Sequence, residues 1–372
     1  MIATIPLTDP RAGYLAQRSA IDAAIARVLE SGSYILGREV AAFEAAFAEF
    51  IGVASGIGCA SGTDAIELAL RACGICSGDL VLTVSHTAVA SVAAIERAGA
   101  RAMLIDIEPG TYTMAPSELS RALRSPLPGR PAAVIPVHLY GQPTDITPIC
   151  ITARAHDLRV IEDCAQSHGA LYHGRPAGSF GDVGCFSFYP TKNLGGLGDG
   201  GMAVTSDPDL SSAMREIREY GWRERYVSSR PGINSRLDPI QAAVLAIKLG
   251  QLTADNQRRQ MIAARYDEGL SDLPLALPAR RPDTFHVFHQ YVIRLAERDS
   301  LRAHLSEWGI NTGIHYPVPV HLQPGYRDRF ATGPSGLGVS ERVAQQILSL
   351  PMYPQLTDEM INRVINAIRA VF

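Results

Sequence analysis

Residues 184–201 read Gly-Cys-Phe-Ser-Phe-Tyr-Pro-Thr-Lys-Asn-Leu-Gly-Gly-Leu-Gly-Asp-Gly-Gly, and one lysine in this stretch, Lys192, separates an aromatic run from a glycine run. Aromatic side chains limit the hydration of an ammonium group, and loss of hydration favours the neutral amine. A neutral lysine amine is a nucleophile that bonds covalently to carbonyl compounds. A lysine beside glycines is more often a solvated loop residue, so this interpretation needs support from the rest of the chain.

Short apolar segments alternate with helical patterns on both sides of this stretch. The predicted strands cover residues 81–84, 102–105, 133–137, 160–161, 183–188 and 202–205. Predicted helices precede and separate them, at residues 11–30, 66–71, 88–98, 117–123 and 147–156. Strands that are apolar throughout, with helices between them, indicate a parallel sheet covered on both faces. The sequence therefore predicts an α/β fold.

The pattern changes after residue 250. Asp238 and Pro239 are a favourable helix start, and helical spacing continues, with a possible break at Gly250, to about Leu270. Beyond a proline-rich link, the pattern predicts a strand over 287–295 and helices over 301–308, 343–348 and around 361–368. We therefore predict a large domain at residues 1–250 and a smaller C-terminal α/β domain at residues 251–372.

Two further sets of residues fall at the carboxyl ends of predicted strands, where open α/β sheets bind ligands. Ser61, Gly62 and Thr63 begin a helix, and Ser61 and Asp64 have capping-box spacing. Free N–H groups at a helix start suit a phosphate, although many helices begin this way. Asp163 directly follows an apolar strand, so its carboxylate is placed either to cap a helix or to keep a pyridine nitrogen protonated.

Gln166 lies one helical turn after Asp163, where it could reach the other edge of the same ring. The glycines of the opening stretch also match G-x-G-x-x-G, at Gly196, Gly198 and Gly201. A dinucleotide site requires that motif to follow a strand and open a helix, whereas here it precedes a strand, which excludes that reading. In combination, a phosphate-type helix start, a strand-end acid and a lysine supply the three contacts that pyridoxal phosphate (PLP) needs.

Composition narrows the class of protein. The 372 residues carry a net charge of -3, which gives no electrostatic case for binding nucleic acid or an anionic membrane. Apolar stretches are far below the roughly 20 residues that span a bilayer, and the N-terminus has no signal-peptide pattern. Most of the six cysteines lie in apolar strand-like or helical contexts, as reduced cysteines do. We therefore expect a cytoplasmic protein with no membrane partner and no metal.

The chain resembles the DegT-type sugar aminotransferases, which are PLP-dependent enzymes of the aspartate aminotransferase fold. Six motifs carry the resemblance, and together they cover nearly the whole length. They are Ser61-Gly-Thr-Asp-Ala65, Pro136-Val-His-Leu-Tyr-Gly141, Glu162-Asp-Cys-Ala-Gln-Ser-His-Gly169, Phe186-Ser-Phe-Tyr-Pro-Thr-Lys-Asn193, Gly232-Ile-Asn-Ser-Arg-Leu-Asp238 and His315-Tyr-Pro-Val-Pro-Val-His321. The resemblance implies a PLP-dependent transferase of fold type I, with a mostly parallel sheet of the seven-stranded type in the large domain.

The resemblance also implies residue roles. Lys192 would bind the cofactor covalently and shuttle the proton, and Asp163 would pair with the pyridine nitrogen. The other cofactor contacts would be Gln166 at the phenolic oxygen side, the phosphate ligands Gly62, Thr63 and Ser187, and Asn234 of a neighbouring subunit. Tyr316 and His321 would meet the sugar nucleotide. The implied reaction moves an amino group from L-glutamate to a keto-sugar nucleotide, in a homodimer with shared sites.

One position departs from the family pattern. Members commonly place an aromatic residue on the cofactor ring where this chain has Ala88. His86 is the nearest substitute, and we expect its imidazole to lie on the ring. A core or surface role for His86 is the alternative, so the stacking contact is the part of the resemblance that this departure affects.

Three other functions share parts of this pattern. An aminotransferase acting on a keto-cyclitol would have the same cofactor site. A sugar dehydratase of the same fold often replaces the lysine with histidine, which Lys192 disfavours. The family has also been linked to sensing and regulatory roles, but a pure binding module needs no pairing of Lys192 with Asp163.

Overall fold

An eight-stranded sheet organises the computed structural model, which describes residues 4–372. Its strands, in chain order, are β1 Ser55–Cys59, β2 Asp79–Val84, β3 Arg101–Ile105, β4 Arg130–Val134, β5 Arg159–Asp163, β8 Val183–Ser187, β9 Gly201–Thr205 and β14 Ala331–Thr332. Their spatial order is β1-β9-β8-β5-β4-β2-β3-β14. Only β9 runs opposite to the other seven, which confirms the predicted mostly parallel sheet.

Thirteen α-helices lie within the described residues. They are α1 Pro10–Ala16, α2 Arg18–Ser31, α3 Arg38–Ile51, α4 Gly62–Ala72, α5 Ala90–Arg97, α6 Pro116–Leu123, α7 Ile146–Ala155, α8 Pro208–Ile217, α9 Pro239–Leu249, α10 Leu252–Leu270, α11 Arg298–Glu307, α12 Gly338–Gln346 and α13 Asp358–Arg369. Between residues 4 and 372, no helix combines the length and the apolar composition needed to cross a membrane.

Small strands complete the architecture. They are β6 Leu171–Tyr172, β7 Arg175–Pro176, β10 Trp222–Glu224, β11 Val227–Ser228, β12 Thr284–Phe285, β13 Tyr291–Arg294 and β15 Ile347–Leu350. Strands β10 and β11 form a hairpin, and β12 pairs with β6, which pairs with β7. Strands β13 and β15 pair antiparallel among the C-terminal helices.

Helices cover both faces of the central sheet, as its strand sequences predict. Successive residues of one strand point to opposite faces, so Val81 packs with α4 and α5 while Leu82 packs with α6 and α7. All six residues of β2 are buried. At the β9 side, Phe43 and Phe47 of α3 pack against the aromatic side chains that follow β8.

Three predicted elements differ from the structure. The predicted helix at 11–30 is interrupted at Gln17, which separates α1 from α2. The predicted strand at 287–295 shrinks to β13, because residues 287–290 bond instead to the backbone of Tyr140 and Gly141. The predicted helix at 343–348 is wrong beyond Gln346, since Ile347 begins β15, whose four residues are all buried. A short buried apolar run does not distinguish a helix from a strand by its periodicity.

The predicted break at Gly250 is present, between α9 and α10. Asp238 stands at the N-cap position of α9 as expected, yet its side chain makes no capping hydrogen bond. Buried residues of α10 join a C-terminal core with β13, β15, α11 and α13. Strand β14 leaves that region and pairs with β3 at the edge of the large sheet. The domain boundary at residue 250 stays a prediction.

A buried ion cluster joins α3, β1 and α8. Glu44 is 5% exposed and accepts hydrogen bonds from the Gly58 backbone N–H at 2.8 Å, from Arg215 at 2.8 Å and from Arg218. Arg218 also donates to the Gly58 carbonyl at 2.9 Å and is itself buried. A buried charge without a partner of opposite charge is strongly destabilising, so the folded protein needs Glu44 to compensate the charge of Arg218.

Replacing Glu44 with alanine should destabilise the protein by about 3–5 kcal/mol, because Arg218 is then buried without its carboxylate. Denaturant unfolding at a fixed protein concentration measures this change. Asp272→Ala is the matched control, since it breaks an exposed pair with Arg369 and should leave the unfolding midpoint unchanged. Equal midpoints for the two variants would contradict a structural role for the Glu44 cluster.

Candidate active site

Lys192 lies in the loop between β8 and β9 and is half-buried. Its backbone N–H donates to the Tyr189 carbonyl at 2.8 Å. Burial lowers the pKa of the Lys192 ammonium to about 8, and the carboxylate of Asp163 opposes that shift. The loop turns tightly enough that a Cβ atom on Gly195 would lie 2.4 Å from the Pro190 carbonyl oxygen, which explains a glycine at that position.

The aromatic residues near Lys192 do not form the walls that the sequence suggested. Phe186 and Phe188 are fully buried and point to the phenylalanines of α3, while Tyr189 is 53% exposed. Alternation along β8 explains this, because residues 186 and 188 share the face that meets α3.

Three histidines that the sequence did not single out lie within the electrostatic reach of Lys192. Burial, and then the charge of Lys192, lowers the pKa of His168 to about 3 and that of His315 to about 4. The pKa of His289 is also lowered, by burial first and by Lys192 next. All three imidazoles are therefore neutral at physiological pH. His168 and His315 lie within two of the family motifs, but no spacing in the sequence shows that these two residues and His289 come together, because they belong to three distant segments.

Asp163 ends β5 and is 5% exposed. Its backbone bonds to the segment after β4, donating to the Pro136 carbonyl and accepting from the His138 N–H. One carboxylate oxygen accepts from the Ser91 hydroxyl at 2.8 Å, and the other accepts from the Ala165 N–H at 3.1 Å. The carboxylate is thus held in one orientation, within electrostatic reach of Lys192.

The residue before Asp163 belongs to a buried network. Glu162 accepts hydrogen bonds from His138 Nε2 at 3.0 Å and from the backbone N–H groups of Gly178, Phe180 and Gly181. His138 Nδ1 accepts from the Thr144 N–H at 2.9 Å, so Nε2 carries the proton. His138, Glu162 and Cys164 have the residue types of a metal site, but these bonds already engage both imidazole nitrogens and both carboxylate oxygens. The network supports the strand end that presents Asp163.

The residues predicted to bind the phosphate lie close together. Gly62 opens α4, and a Cβ atom on Gly62 would lie 2.6 Å from the Ser187 Cβ, so the two residues are in direct contact. Ser187 follows Cys185, the register partner of Asp163, by two residues. Thr63 is half-buried beside Gly62.

The capping box at this helix start is only half formed. The Ser61 hydroxyl accepts from the Asp64 N–H at 3.1 Å, as predicted. The Asp64 carboxylate instead accepts from the Ser235 hydroxyl at 2.8 Å and pairs with Arg97 at 2.9 Å. These longer-range partners remove Asp64 from the cap, and the Ser61 bond alone closes the first turn of α4.

Gln166 and His86 share one neighbour, Tyr140. The Gln166 carbonyl oxygen accepts from the Tyr140 N–H at 2.7 Å, and its amide donates to the Tyr316 hydroxyl at 3.1 Å. His86 Nε2 lies 2.8 Å from the Tyr140 hydroxyl. The Asp163 charge contributes to the raised pKa of Tyr316, about 12, after burial. Tyr316 therefore lies on the Asp163 side of the site.

The two remaining predicted residues are His321 and Asn234. His321 Nδ1 is 2.6 Å from the Ser85 hydroxyl, next to His86 in sequence, and His321 Nε2 is 3.0 Å from Glu341. Asn234 is exposed, and its side chain makes no hydrogen bond within residues 4–372. An exposed asparagine is accessible to another chain, and the predicted contact of Asn234 with a neighbouring subunit stays a prediction.

These residues fit PLP. A buried carboxylate, an amine with a lowered pKa and a helix N-terminus against Ser187 converge at the carboxyl ends of neighbouring strands. The buried Nδ1 of His86 has no partner among the described residues, which is the state expected of a group beside an absent ligand. The individual roles of the site residues stay predictions.

A family model for the DegT/DnrJ/EryC1/StrS aminotransferases matches residues 16–369. The chain belongs to this family. Its members are PLP-dependent aminotransferases of fold type I, so the predicted fold, enzyme class and cofactor are confirmed.

Similar proteins extend over almost the whole chain. A Streptomyces venezuelae protein named dTDP-3-amino-3,4,6-trideoxy-alpha-D-glucose transaminase is 45% identical over 98% of this chain and 95% of its own. An Acidithiobacillus ferrooxidans protein named UDP-N-acetyl-3-dehydro-alpha-D-glucosamine 3-aminotransferase is 43% identical over 98% and 97%. The crystal structure of S. venezuelae DesV in complex with a ketimine intermediate has a TM-score of 0.95, with 45% identity, covering 99% of this chain and 98% of that one.

Gly62→Ala should weaken PLP binding at least tenfold, about 1.4 kcal/mol, because the new methyl group would overlap Ser187 in the phosphate cradle. Fluorescence titration of the cofactor-free protein measures the affinity. Gly338→Ala is the control, since a Cβ atom there meets nothing within 4 Å. Unchanged affinity in Gly62→Ala would place the phosphate elsewhere.

Lys192 should react with electrophiles as an amine whose pKa is about 8. The neutral amine is the reactive form, so acylation of the cofactor-free protein should rise about tenfold per pH unit below 8 and level off above it. Mass spectrometry of the Lys192 peptide measures the rate. The sequence contains only one other lysine, Lys248, and Lys248→Arg removes its signal. A midpoint near the usual lysine pKa would contradict the burial of Lys192.

Proposed function

We propose that this enzyme moves an amino group from L-glutamate to the carbonyl carbon of a 3-keto-sugar nucleotide. The observation that carries the proposal is the pairing of Lys192, whose pKa is lowered to about 8, with the fixed carboxylate of Asp163 in a chain of this family. Both relatives described above are named for an amino group at carbon 3 of a nucleotide-linked sugar. One relative is named for a dTDP sugar and the other for a UDP sugar, so the experiment below tests both nucleotides.

The proximity of the predicted site residues supports the following cofactor contacts. Lys192 would hold PLP covalently, Asp163 would keep the pyridine nitrogen protonated, and Gly62, Thr63 and Ser187 would bind the phosphate. Gln166 and His86 would contact the ring edge and face. When bound, PLP supplies an aldehyde that exchanges amino groups and a cationic ring that withdraws electrons from the substrate carbon.

Lys192 would be both base and acid. Once the amino group of the substrate has displaced it from PLP, its Nζ would take a proton from the α-carbon of glutamate and later give a proton back, so a pKa near the working pH suits both steps. The hydrogen bonds from Ser91 and Ala165 hold the Asp163 carboxylate in one orientation, and this carboxylate would stabilise a cationic ring nitrogen beside it. Glutamate leaves as 2-oxoglutarate, and the keto sugar leaves as the amino sugar.

The keto-sugar nucleotide would lie near Tyr316 and His321, both from the C-terminal part of the chain. His321 is held between Ser85 and Glu341, which fixes its ring orientation. Tyr316 bonds to Gln166 and would move aside or turn toward the sugar when ligands bind. In this arrangement the acceptor would lie near the edge of the sheet that carries Lys192 and Asp163.

We propose a homodimer in which Asn234 of one copy reaches the phosphate of the other. Asn234 is exposed, and its side chain has no hydrogen-bond partner within residues 4–372. The β10–β11 hairpin close to it exposes a large apolar surface, with Tyr226 at 71% and Val227 at 58% exposure. A second copy would cover this surface. The six free cysteines suit the reducing cytoplasm, where we place the enzyme.

Lys192→Ala should lose the visible absorbance of covalently held cofactor and all amino transfer, whereas Lys248→Met should keep both. The half-reaction with L-glutamate is followed by the change in that absorbance, and the acceptor is found by screening 3-keto and 4-keto sugars on dTDP and UDP by mass spectrometry. Normal turnover in Lys192→Ala would contradict the assignment of Lys192 as the lysine that binds the cofactor. Transfer only to a keto-cyclitol, or loss of water from a sugar without transfer, would replace the proposed function with the corresponding alternative.

A further inference from the structure

Tyr140 occupies the centre of the buried hydrogen bonds behind the site. It belongs to a 3-10 turn at Leu139–Gly141 and has a φ of 60°, in the left-handed region that residues other than glycine rarely adopt. Its N–H donates to Gln166 at 2.7 Å, and its carbonyl accepts from the Gln290 N–H at 3.2 Å. Its ring packs edge-on against His86 and Tyr112, with centroids 6.0 Å and 5.7 Å away. A residue keeps such a strained backbone conformation only where its surroundings hold it there, and residues of this kind cluster at functional sites.

The Tyr140 hydroxyl has two partners and one hydrogen. It bonds to the His315 carbonyl oxygen, which can only accept, so Tyr140 is the donor there. Its oxygen is then left to accept from His86 Nε2 at 2.8 Å. The ring hydrogen of neutral His86 is therefore on Nε2, which donates to the Tyr140 hydroxyl, and Nδ1 keeps a free lone pair.

The surroundings keep that ring neutral. His86 is 1% exposed, and its burial lowers the pKa to about 4, with Asp106 opposing the shift. The carboxylate of Asp106 is itself engaged by Ser340 and by the backbone N–H of Val339. No described residue offers Nδ1 a hydrogen bond. Nothing except Tyr140 selects between the two neutral forms of His86.

We propose that the Tyr140 hydroxyl is a positioning group, which fixes His86 as the neutral Nε2–H tautomer and holds its ring against the cofactor. The proposal rests on the proposed function, because it takes His86 as the ring contact in a chain that has Ala88 at the position where the family resemblance led us to expect an aromatic residue. A neutral imidazole can lie on a cationic pyridine ring, whereas an imidazolium would repel it. Tyr140 also holds Gln166 through its N–H, so one residue aligns two cofactor contacts.

The first test reads the tautomer directly in cofactor-free protein. Histidine labelled with ¹⁵N at both ring nitrogens gives separate signals for protonated and bare nitrogens, and His86→Phe assigns the signals of His86 among ten histidines. We expect wild-type protein to show protonated Nε2 and bare Nδ1, and Tyr140→Phe to show a mixture of both tautomers. Tyr112→Phe is the matched control, because it removes a hydroxyl from the same aromatic group without breaking a hydrogen bond within residues 4–372.

A protonated Nδ1 in wild-type protein, or a wild-type spectrum in Tyr140→Phe, would overturn the proposal. This readout needs no substrate, so it stands even if no keto-sugar nucleotide is converted, and that second result would count against the proposed function alone. Circular dichroism of each variant confirms that it is folded before its spectrum is read.

The second test is a double-mutant cycle on the loaded enzyme. Tyr140→Phe should lower kcat about 5- to 10-fold, the effect of one lost hydrogen bond, with little change in the KM for glutamate. In a His86→Phe background the same change should lower kcat less than about twofold, because the hydroxyl then has no imidazole to orient. An equal loss in both backgrounds would show that Tyr140 acts through His315 instead, and would overturn the proposal.

Discussion

A charged carboxylate held below the surface at the end of a strand is the constraint around which this site is built. Asp163 is 5% exposed, and the chain meets its charge from several directions. The Ser91 hydroxyl from α5 and the Ala165 backbone N–H each donate a hydrogen bond to one of its carboxylate oxygens. The backbone N–H and carbonyl of Asp163 both form hydrogen bonds to the segment after β4. The adjacent Glu162 anchors the loop at 178–181. The parallel order of β4, β5 and β8 makes these contacts possible, because their carboxyl ends reach one edge together.

The parts of this arrangement that the sequence predicted are those with a local signature. Asp163 follows an apolar strand directly, Gly62 follows a helix cap, and Lys192 stands between two contrasting runs, so each could be found by reading a few neighbouring residues. The parallel sheet follows from apolar strands separated by helices. Helical spacing after Asp163 indicated Gln166, and the family motifs then indicated Ser187 and Asn234. Whether each residue performs the role assigned to it is a separate question from where it lies.

The parts that escaped prediction depend on contacts between distant segments. The His86–Tyr140 bond joins residues 54 positions apart, and the Ser91–Asp163 bond joins residues 72 positions apart. No spacing rule in one sequence connects them. The same limit explains the misassigned aromatic wall, since the face that Phe186 presents depends on where α3 packs. It also explains β15, whose strand conformation comes from pairing with β13 rather than from its own four residues.

The scarcity of lysine gives this protein an unusual chemical simplicity. Of its 34 basic residues only Lys192 and Lys248 are lysines, and the Nζ of Lys248 donates to the Gly195 carbonyl at 2.6 Å in the same glycine run. Free pyridoxal phosphate forms adducts with surface lysines, whereas a surface whose basic side chains are almost all guanidinium groups offers it few amines. The cofactor content of a preparation can therefore be counted from its absorbance with little background from adventitious adducts.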